Sequence, residues 1–166
     1  SLAIALLLGV VNFITKDRIA EAAKVKTAAA MEAVLKADSY NELSYEGRDA
    51  IVSGLYEAIR DGSVIGWVAQ VKPIGFGGII NMAVGVALDG SVTGVTIISM
   101  TETSGLGTNA YQERFRNQYA GKSGSVALSK YGGDIDALTG ATITSSAVTD
   151  GVNSALGAVA GLIKEG

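Results

Sequence analysis

The chain has 166 residues, of which 48% are apolar and 17% charged, with a formal net charge of -3, so we expect one core of ordinary size. A slightly acidic chain without a run of Lys or Arg has no electrostatic basis for binding nucleic acid. Because Cys and His are absent, Cys-ligated iron–sulfur clusters, Cys/His zinc sites, His general bases and Ser-His-Asp triads are excluded, and any redox chemistry must come from an organic cofactor.

The first segment, residues 2–14, is apolar except for one Asn. As a helix it would measure roughly 20 Å against a hydrocarbon core of roughly 30 Å, so it also fits a signal-peptide core or a buried helix. No small-residue cleavage site follows, and an Ala-rich run at 19–31 continues the helix. We expect a membrane helix over residues 1–16 whose first turns precede the chain, and a separate domain over residues 17–166. The mixed charges at 16–18 give no positive-inside signal.

Two β-hairpins are predicted in the middle of the chain. Each consists of two apolar-rich runs joined by an Asp-Gly pair, a dipeptide typical of tight turns. The first hairpin covers residues 45–72 with its turn at Asp61-Gly62, and the second covers residues 81–99 with its turn at Asp89-Gly90. A glycine loop, residues 75–78, lies between them.

Helices are predicted on both sides of the hairpins. The first helix should end near Asp38, and the pattern of residues 106–120 predicts a polar surface helix. Residues 121–135 are expected to form a loop or short strand, and residues 143–164 a closing helix with apolar residues at a helical period. Terminal helices around antiparallel hairpins indicate an α+β fold.

A hydroxyl-rich stretch precedes the closing helix. Its ordinary interpretation is a helix N-cap, in which Thr142, Thr144 or Ser145 accepts a bond from the first free N–H groups. The same N–H groups and the positive end of the helix dipole also suit a phosphate. Spacing alone favours the cap.

Two glycine loops are further candidates. Residues 101–108 could be a loop that leads into a helix with Glu102 solvated, or could bring backbone N–H groups and Leu106 against a flat ligand. Residues 75–78, Gly-Phe-Gly-Gly, could be a loose turn or the wall of a pocket. Composition favours the structural interpretation of both, and neither has the spacing of a Walker loop or dinucleotide fingerprint.

All three stretches resemble motifs of the FMN-binding domain family and occur in that family's order. Residues 136–142, Asp-Ala-Leu-Thr-Gly-Ala-Thr, resemble its flavinylation motif, whose last threonine carries FMN through a phosphoester bond. Residues 102–107 resemble its Glu-Thr-Pro-Gly-Leu-Gly segment and residues 75–78 its Gly-Tyr-Gly-Gly segment. In this chain Ser104 replaces the proline and Phe76 the tyrosine.

The resemblance implies covalent FMN on Thr142. Threonine is a weak nucleophile and the chain has no His or Cys to activate it, so self-modification is not expected. The resemblance implies a separate flavin transferase that uses FAD and magnesium. Asp136 would serve recognition by that enzyme, or the local turn. The phosphate would be held by hydroxyls and N–H groups at the start of the last helix, and the ring by the second glycine loop. The implied FMN-binding residues are Thr142, Thr139, Gly140, Ala141, Thr144, Ser145, Glu102, Thr103, Gly105, Leu106 and Gly107.

Within the family, the layout resembles the G subunits of Rnf complexes, which pass electrons between ferredoxin and NAD while moving sodium ions or protons. This resemblance implies a single-pass membrane subunit with its flavin domain on the extracytoplasmic side and other membrane subunits as partners. It would be an electron relay with neither catalytic residues nor a metal of its own. The alternatives are a C subunit of the sodium-translocating NADH:quinone reductase, a membrane-tethered assembly protein without flavin, or a peripheral flavin carrier.

Overall fold

The structure, a computed structural model, describes the backbone of residues 2–165 and the side chains of residues 15–164. It confirms an α+β fold, with a long first helix, an antiparallel sheet, a segment of short helical turns and a closing helix. The elements are α1 (Leu2–Val34), β1 (Ser39–Leu43), β2 (Val52–Arg60), β3 (Ser63–Val71), β4 (Asn81–Ala87), β5 (Val92–Ser99), α2 (Glu113–Arg116) and α3 (Thr142–Glu165).

Each strand of the sheet pairs with the next along the chain, in the order β1-β2-β3-β4-β5, and every pair is antiparallel. The two predicted hairpins are β2–β3 and β4–β5. Asp61 and Gly62 both have positive φ, 51° and 76°, which is the conformation that favours Asp-Gly in a two-residue turn. Strand β1 was not predicted, because its residues are mostly polar and exposed and it is ordered only as an edge strand along β2.

Helices cover both faces of the sheet. The end of α1 packs through Ala30, Met31 and Val34 against one face, and α3 packs against the other. Because successive side chains of a strand point to opposite faces, a strand covered on both sides is apolar throughout, and residues 82–86 of β4 are all buried. The helix backbone approaches the sheet closely at Gly85, where a Cβ would lie 2.6 Å from the carbonyl oxygen of Val34.

Helix α1 is continuous from Leu2 to Val34 and ends earlier than the predicted Asp38. The hydroxyl of Thr93 donates a hydrogen bond to the last helical carbonyl, that of Val34 (2.6 Å), and the chain then turns toward β1. The predicted membrane segment forms the first turns of α1, but the side chains of residues 2–14 lie outside the described residues. Where the structure describes the chain, no helix combines enough length and apolar character to cross a membrane.

The prediction of one polar surface helix over residues 106–120 is wrong. The segment folds as a 3-10 turn (Gly107–Tyr111), α2 and a second 3-10 turn (Asn117–Tyr119), because Gln112 adopts an extended conformation between them. It is also anchored in the core: Phe115 and Tyr119 are buried and pack edge to face, with ring centroids 5.7 Å apart. Residues 121–135 form a loop, as expected, with a 3-10 turn and isolated bridges.

Candidate functional site

The hydroxyl-rich stretch forms the entry to α3, which begins at Thr142. The first hydrogen bond at this end runs from the N–H of Ser145 to the carbonyl of Ala141 (3.0 Å). The N–H groups of Thr142, Ile143 and Thr144 precede that bond, so the helix offers them no acceptor. Three donors and the positive end of the helix dipole therefore meet at one place.

The loop before α3 is fixed by the buried side chain of Ser145. Its hydroxyl donates to the carbonyl of Ala141 (2.9 Å) and accepts from the N–H of Leu138 (2.9 Å). Gly140, with φ of 72°, makes the left-handed turn between them. The Ser145 hydroxyl is therefore engaged within the protein and lies behind the helix start.

The second glycine loop contributes a buried carboxylate. Glu102 Oε2 accepts a hydrogen bond from the hydroxyl of Thr144 (2.6 Å), and its Oε1 accepts one from the N–H of Gly77 (3.0 Å). Glu102 is 9% exposed and Thr144 is 1% exposed. The interpretation of this loop as a surface turn with a solvated Glu102 is thus wrong, because the carboxylate joins both glycine loops to the first turn of α3.

These three segments enclose a cavity of about 400 Å³, within the range of small-ligand sites. Phe76, Leu106 and Ile143 give it an apolar, solvent-exposed part, whereas Glu102 and Thr144 give it a buried polar part. Among the described residues, no Lys or Arg lines it, so backbone donors are its means of holding an anion. The lining residues are Phe76, Glu102, Thr103, Leu106, Gly107, Gly140, Ala141, Thr142, Ile143 and Thr144.

Most of the residues implied by the resemblance line this cavity, and three do not. Thr139 and Gly105 are exposed on the adjoining loops, and Ser145 lies behind the helix start. Two lining residues were absent from the expected set, Phe76 and Ile143. Both carried a positional signal in the sequence: Phe76 stands within the motif of residues 75–78, and Ile143 directly follows Thr142.

The hydroxyl of Thr142, unlike those of Thr144 and Ser145, is not occupied by a hydrogen bond within the described residues. It is half-buried at the cavity and has no hydrogen-bond partner among the described residues, whereas the hydroxyls of Thr144 and Ser145 are both engaged. The cavity therefore contains one free threonine hydroxyl beside three free N–H groups. This is a donor and acceptor set that fits the phosphate end of FMN, and the apolar part fits a planar ring.

Comparisons with known proteins identify relatives of this chain. The chain is 32% identical to the G subunit of the Na(+)-translocating ferredoxin:NAD(+) oxidoreductase complex of Acetobacterium woodii, over 90% of this chain and 81% of the relative. It is 32% identical to the G subunit of the ion-translocating oxidoreductase complex of Escherichia coli, over 87% of this chain and 79% of the relative.

A solved structure supports the fold. The C subunit of the Na(+)-translocating NADH-quinone reductase of Parabacteroides distasonis superposes with a TM-score of 0.54 at 23% identity, over 66% of this chain and 62% of that chain. Residues 75–157, which contain both glycine loops and the start of α3, match the FMN-binding domain. With the G-subunit relatives covering most of both chains, these matches show that the chain belongs to the FMN-binding domain family.

Proposed function

We propose that this chain is an FMN-carrying electron-transfer subunit of an Rnf-type, ion-translocating ferredoxin:NAD oxidoreductase. The family match supports the cofactor, and the G-subunit relatives support the complex. In such a complex the chain would be a redox relay between other membrane subunits, not an enzyme alone. The likeness to the C subunit of the NADH-quinone reductase concerns the fold, so the Rnf-type assignment is preferred.

The covalent attachment site in this proposal is the hydroxyl of Thr142. The observation that carries it is that Thr142 has the free hydroxyl at the cavity, because Thr144 is bonded to Glu102 and Ser145 to the loop. Thr142 Oγ1 would form a bond to the FMN phosphorus of FAD and lose its proton, and AMP would leave. The chain has no His or Cys to take that proton, so a separate flavin transferase with magnesium would perform the step.

The remaining residues of the site would hold and shield the cofactor. The N–H groups of Thr142, Ile143 and Thr144 would bond the phosphate, with the helix dipole favouring its charge. Phe76 and Leu106, with Ile143, would keep water from one side of the ring. FMN, when bound, supplies transfer of one or two electrons, and the chain supplies its position and electrostatic surroundings.

The proposal includes a membrane anchor at residues 1–16, a flavin domain over residues 17–166 on the extracytoplasmic side, and other membrane subunits as partners. The apolar sequence of residues 2–14 supports the anchor. The exposure of α1 is also consistent with it, because the side chains of residues 15–29, such as Ile19 and Val25, are mostly exposed.

Co-expression with a flavin transferase tests the attachment. The chain should gain the mass of FMN less one water, and its fluorescent band should survive denaturing electrophoresis. Thr142→Ala should abolish both signals. Ser129→Ala is the control, since Ser129 is an exposed hydroxyl residue outside both the motif and the cavity, and it should keep them. An adduct that persists in Thr142→Ala, or is lost in Ser129→Ala, would contradict the proposal.

A further inference from the structure

Glu102 is the one charged residue that is buried among residues 15–164. Removing a carboxylate from water is costly unless hydrogen bonds or an opposite charge compensate. The ion pair of the described residues joins Lys122 to Asp134 and does not involve Glu102. Compensation comes from the hydroxyl of Thr144 and the N–H of Gly77, and from the positive end of α3.

Glycines of both loops leave room for this carboxylate. A Cβ at Gly107 would lie 2.7 Å from Glu102 Cβ and 2.8 Å from its Oε2. A Cβ at Gly75 would collide with Glu102 Oε1. The glycines of both loops therefore leave the space that a carboxylate between the loops and α3 requires. A surface acid would need no such space.

We propose that Glu102 is a positioning residue of the FMN site that also lowers the reduction potential of the bound flavin. Its two oxygens fix the glycine loop 75–78 and the first turn of α3 relative to each other. The inference rests on the proposed function, since it assigns a purpose to a residue that lines the same cavity.

The effect on potential follows from charge. Each electron that the bound flavin took up from a reductant without a proton from solvent would add one negative charge to the cavity that Glu102 lines. Two like charges repel more strongly in a partly buried site than in water, so the fixed charge of Glu102 opposes reduction. Removing that charge without changing the shape of the site should make the flavin easier to reduce.

Glu102→Gln separates charge from shape. The amide oxygen can still accept from Gly77, and the Thr144 hydroxyl can rotate to accept from the new NH₂ group. Glu102→Ala removes both contacts. The control is Glu42→Gln, which removes one negative charge from an exposed residue of β1, the edge strand beyond β2.

Two measurements test the proposal. In the flavinylated chain, titration with dithionite, which is oxidised to sulfite, should give Glu102→Gln a more positive midpoint potential than the wild type, with Glu42→Gln unchanged. In the unmodified chain, amide exchange at Gly77 should be about tenfold faster in Glu102→Ala and near the wild-type rate in Glu102→Gln. Should Glu102→Ala not fold, Thr144→Val removes one of the two contacts and should speed exchange in the same direction.

An unchanged potential in Glu102→Gln would overturn the electrostatic role, and unchanged exchange at Gly77 in Glu102→Ala and Thr144→Val would overturn the positioning role. A wild-type chain that takes up no FMN would overturn the proposed function, and with it the effect on potential. The exchange experiment would still decide the positioning role in that case.

Discussion

At the scale of single residues, hydroxyl groups that are equivalent in the sequence have different roles in the structure. Thr142, Thr144 and Ser145 are all N-cap residue types close to one helix start. Ser145 points inward and fixes the loop, Thr144 bonds a carboxylate from another loop, and Thr142 is free. The sequence predicted a site in this stretch but could not assign a role to each hydroxyl, because the assignment depends on Glu102, which is distant in sequence.

A chain of buried hydroxyls links this helix to the short-turn segment. Thr149 donates to the carbonyl of Ser145 (2.9 Å), so the Tyr119 hydroxyl donates to Thr149 (2.8 Å). Burial is the main cause that raises the pKa of Tyr119 from 10.0 to about 12. Tyr119 therefore remains protonated in the folded chain at pH values where it ionises in the unfolded chain.

We expect Tyr119 to make the free energy of unfolding depend on alkaline pH. Since its pKa is higher in the folded state, its contribution is complete below pH 10 and is lost as pH rises toward 12. Urea unfolding at pH 9 and pH 11 should show a larger loss for the wild type than for Tyr119→Phe, by about 1 kcal/mol. Equal losses in the two proteins would show that Tyr119 titrates normally in the folded chain.

At the scale of elements, short-range sequence patterns predicted the elements that short-range interactions determine. The Asp-Gly turns set both hairpins, and the 3.6-residue period set α3. Strand β1 and the segment 106–120 were missed or misassigned, because β1 depends on pairing with β2 and the segment depends on the core contacts of Phe115 and Tyr119. The position of the site came from motif resemblance, whereas its enclosure by two glycine loops and α3 needed the fold.

The misassigned segment supports the loop that carries Thr142. The side-chain amide of Gln118 accepts from the N–H of Asp136 (2.7 Å) and donates to its carbonyl (3.1 Å). Both backbone groups of Asp136 are thus held as they would be by a neighbouring strand. Asp136 itself is exposed, as recognition by the proposed transferase would require.

We expect Gln118→Ala to slow transfer of FMN to Thr142 several-fold, because the acceptor loop loses two hydrogen bonds, worth about 1 kcal/mol each. The measurement is the rate of mass gain with purified transferase and FAD. Asn117→Ala, which changes an exposed neighbour, should transfer at the wild-type rate. A wild-type rate in Gln118→Ala would mean that the transferase itself orders the loop.

At the scale of the whole molecule, the buried side chains of α1 within residues 15–34 all lie at its end. Ala30, Met31 and Val34 cover Val68 and Ala83 of the sheet, whereas the preceding turns are largely exposed. If residues 1–16 form the proposed anchor, a helix docked in this way would connect that anchor to the domain without an intervening loop. The cavity lies at the start of α3, and α3 packs on the face of the sheet opposite α1.

Deleting residues 1–16 should leave a domain that is soluble without detergent and that unfolds at the same urea concentration as the longer chain. The reason is that the contacts of α1 with the sheet begin near Ala30. Deletion of residues 1–34 is the control and should be destabilising, because it exposes the apolar face at Val68 and Ala83. If the shorter deletion aggregates in the absence of detergent, the first turns belong to the protein core and the anchor is refuted.

The relay function is tested in the assembled complex. One missing carrier interrupts a series path, so Thr142→Ala should leave the complex intact on native gels yet abolish ferredoxin-dependent NAD reduction and ion transport together. If the chain were an assembly protein without flavin, Thr142→Ala should leave electron flux and ion transport at wild-type levels, because loss of one half-buried hydroxyl seldom disturbs an interface. Electron flux is measured in membrane vesicles at matched expression, with Ser129→Ala, at an exposed residue outside the cavity, as the control. Wild-type flux through an assembled, flavin-free Thr142→Ala complex would exclude the relay and leave the scaffold role, because no electron path through this chain would then be required.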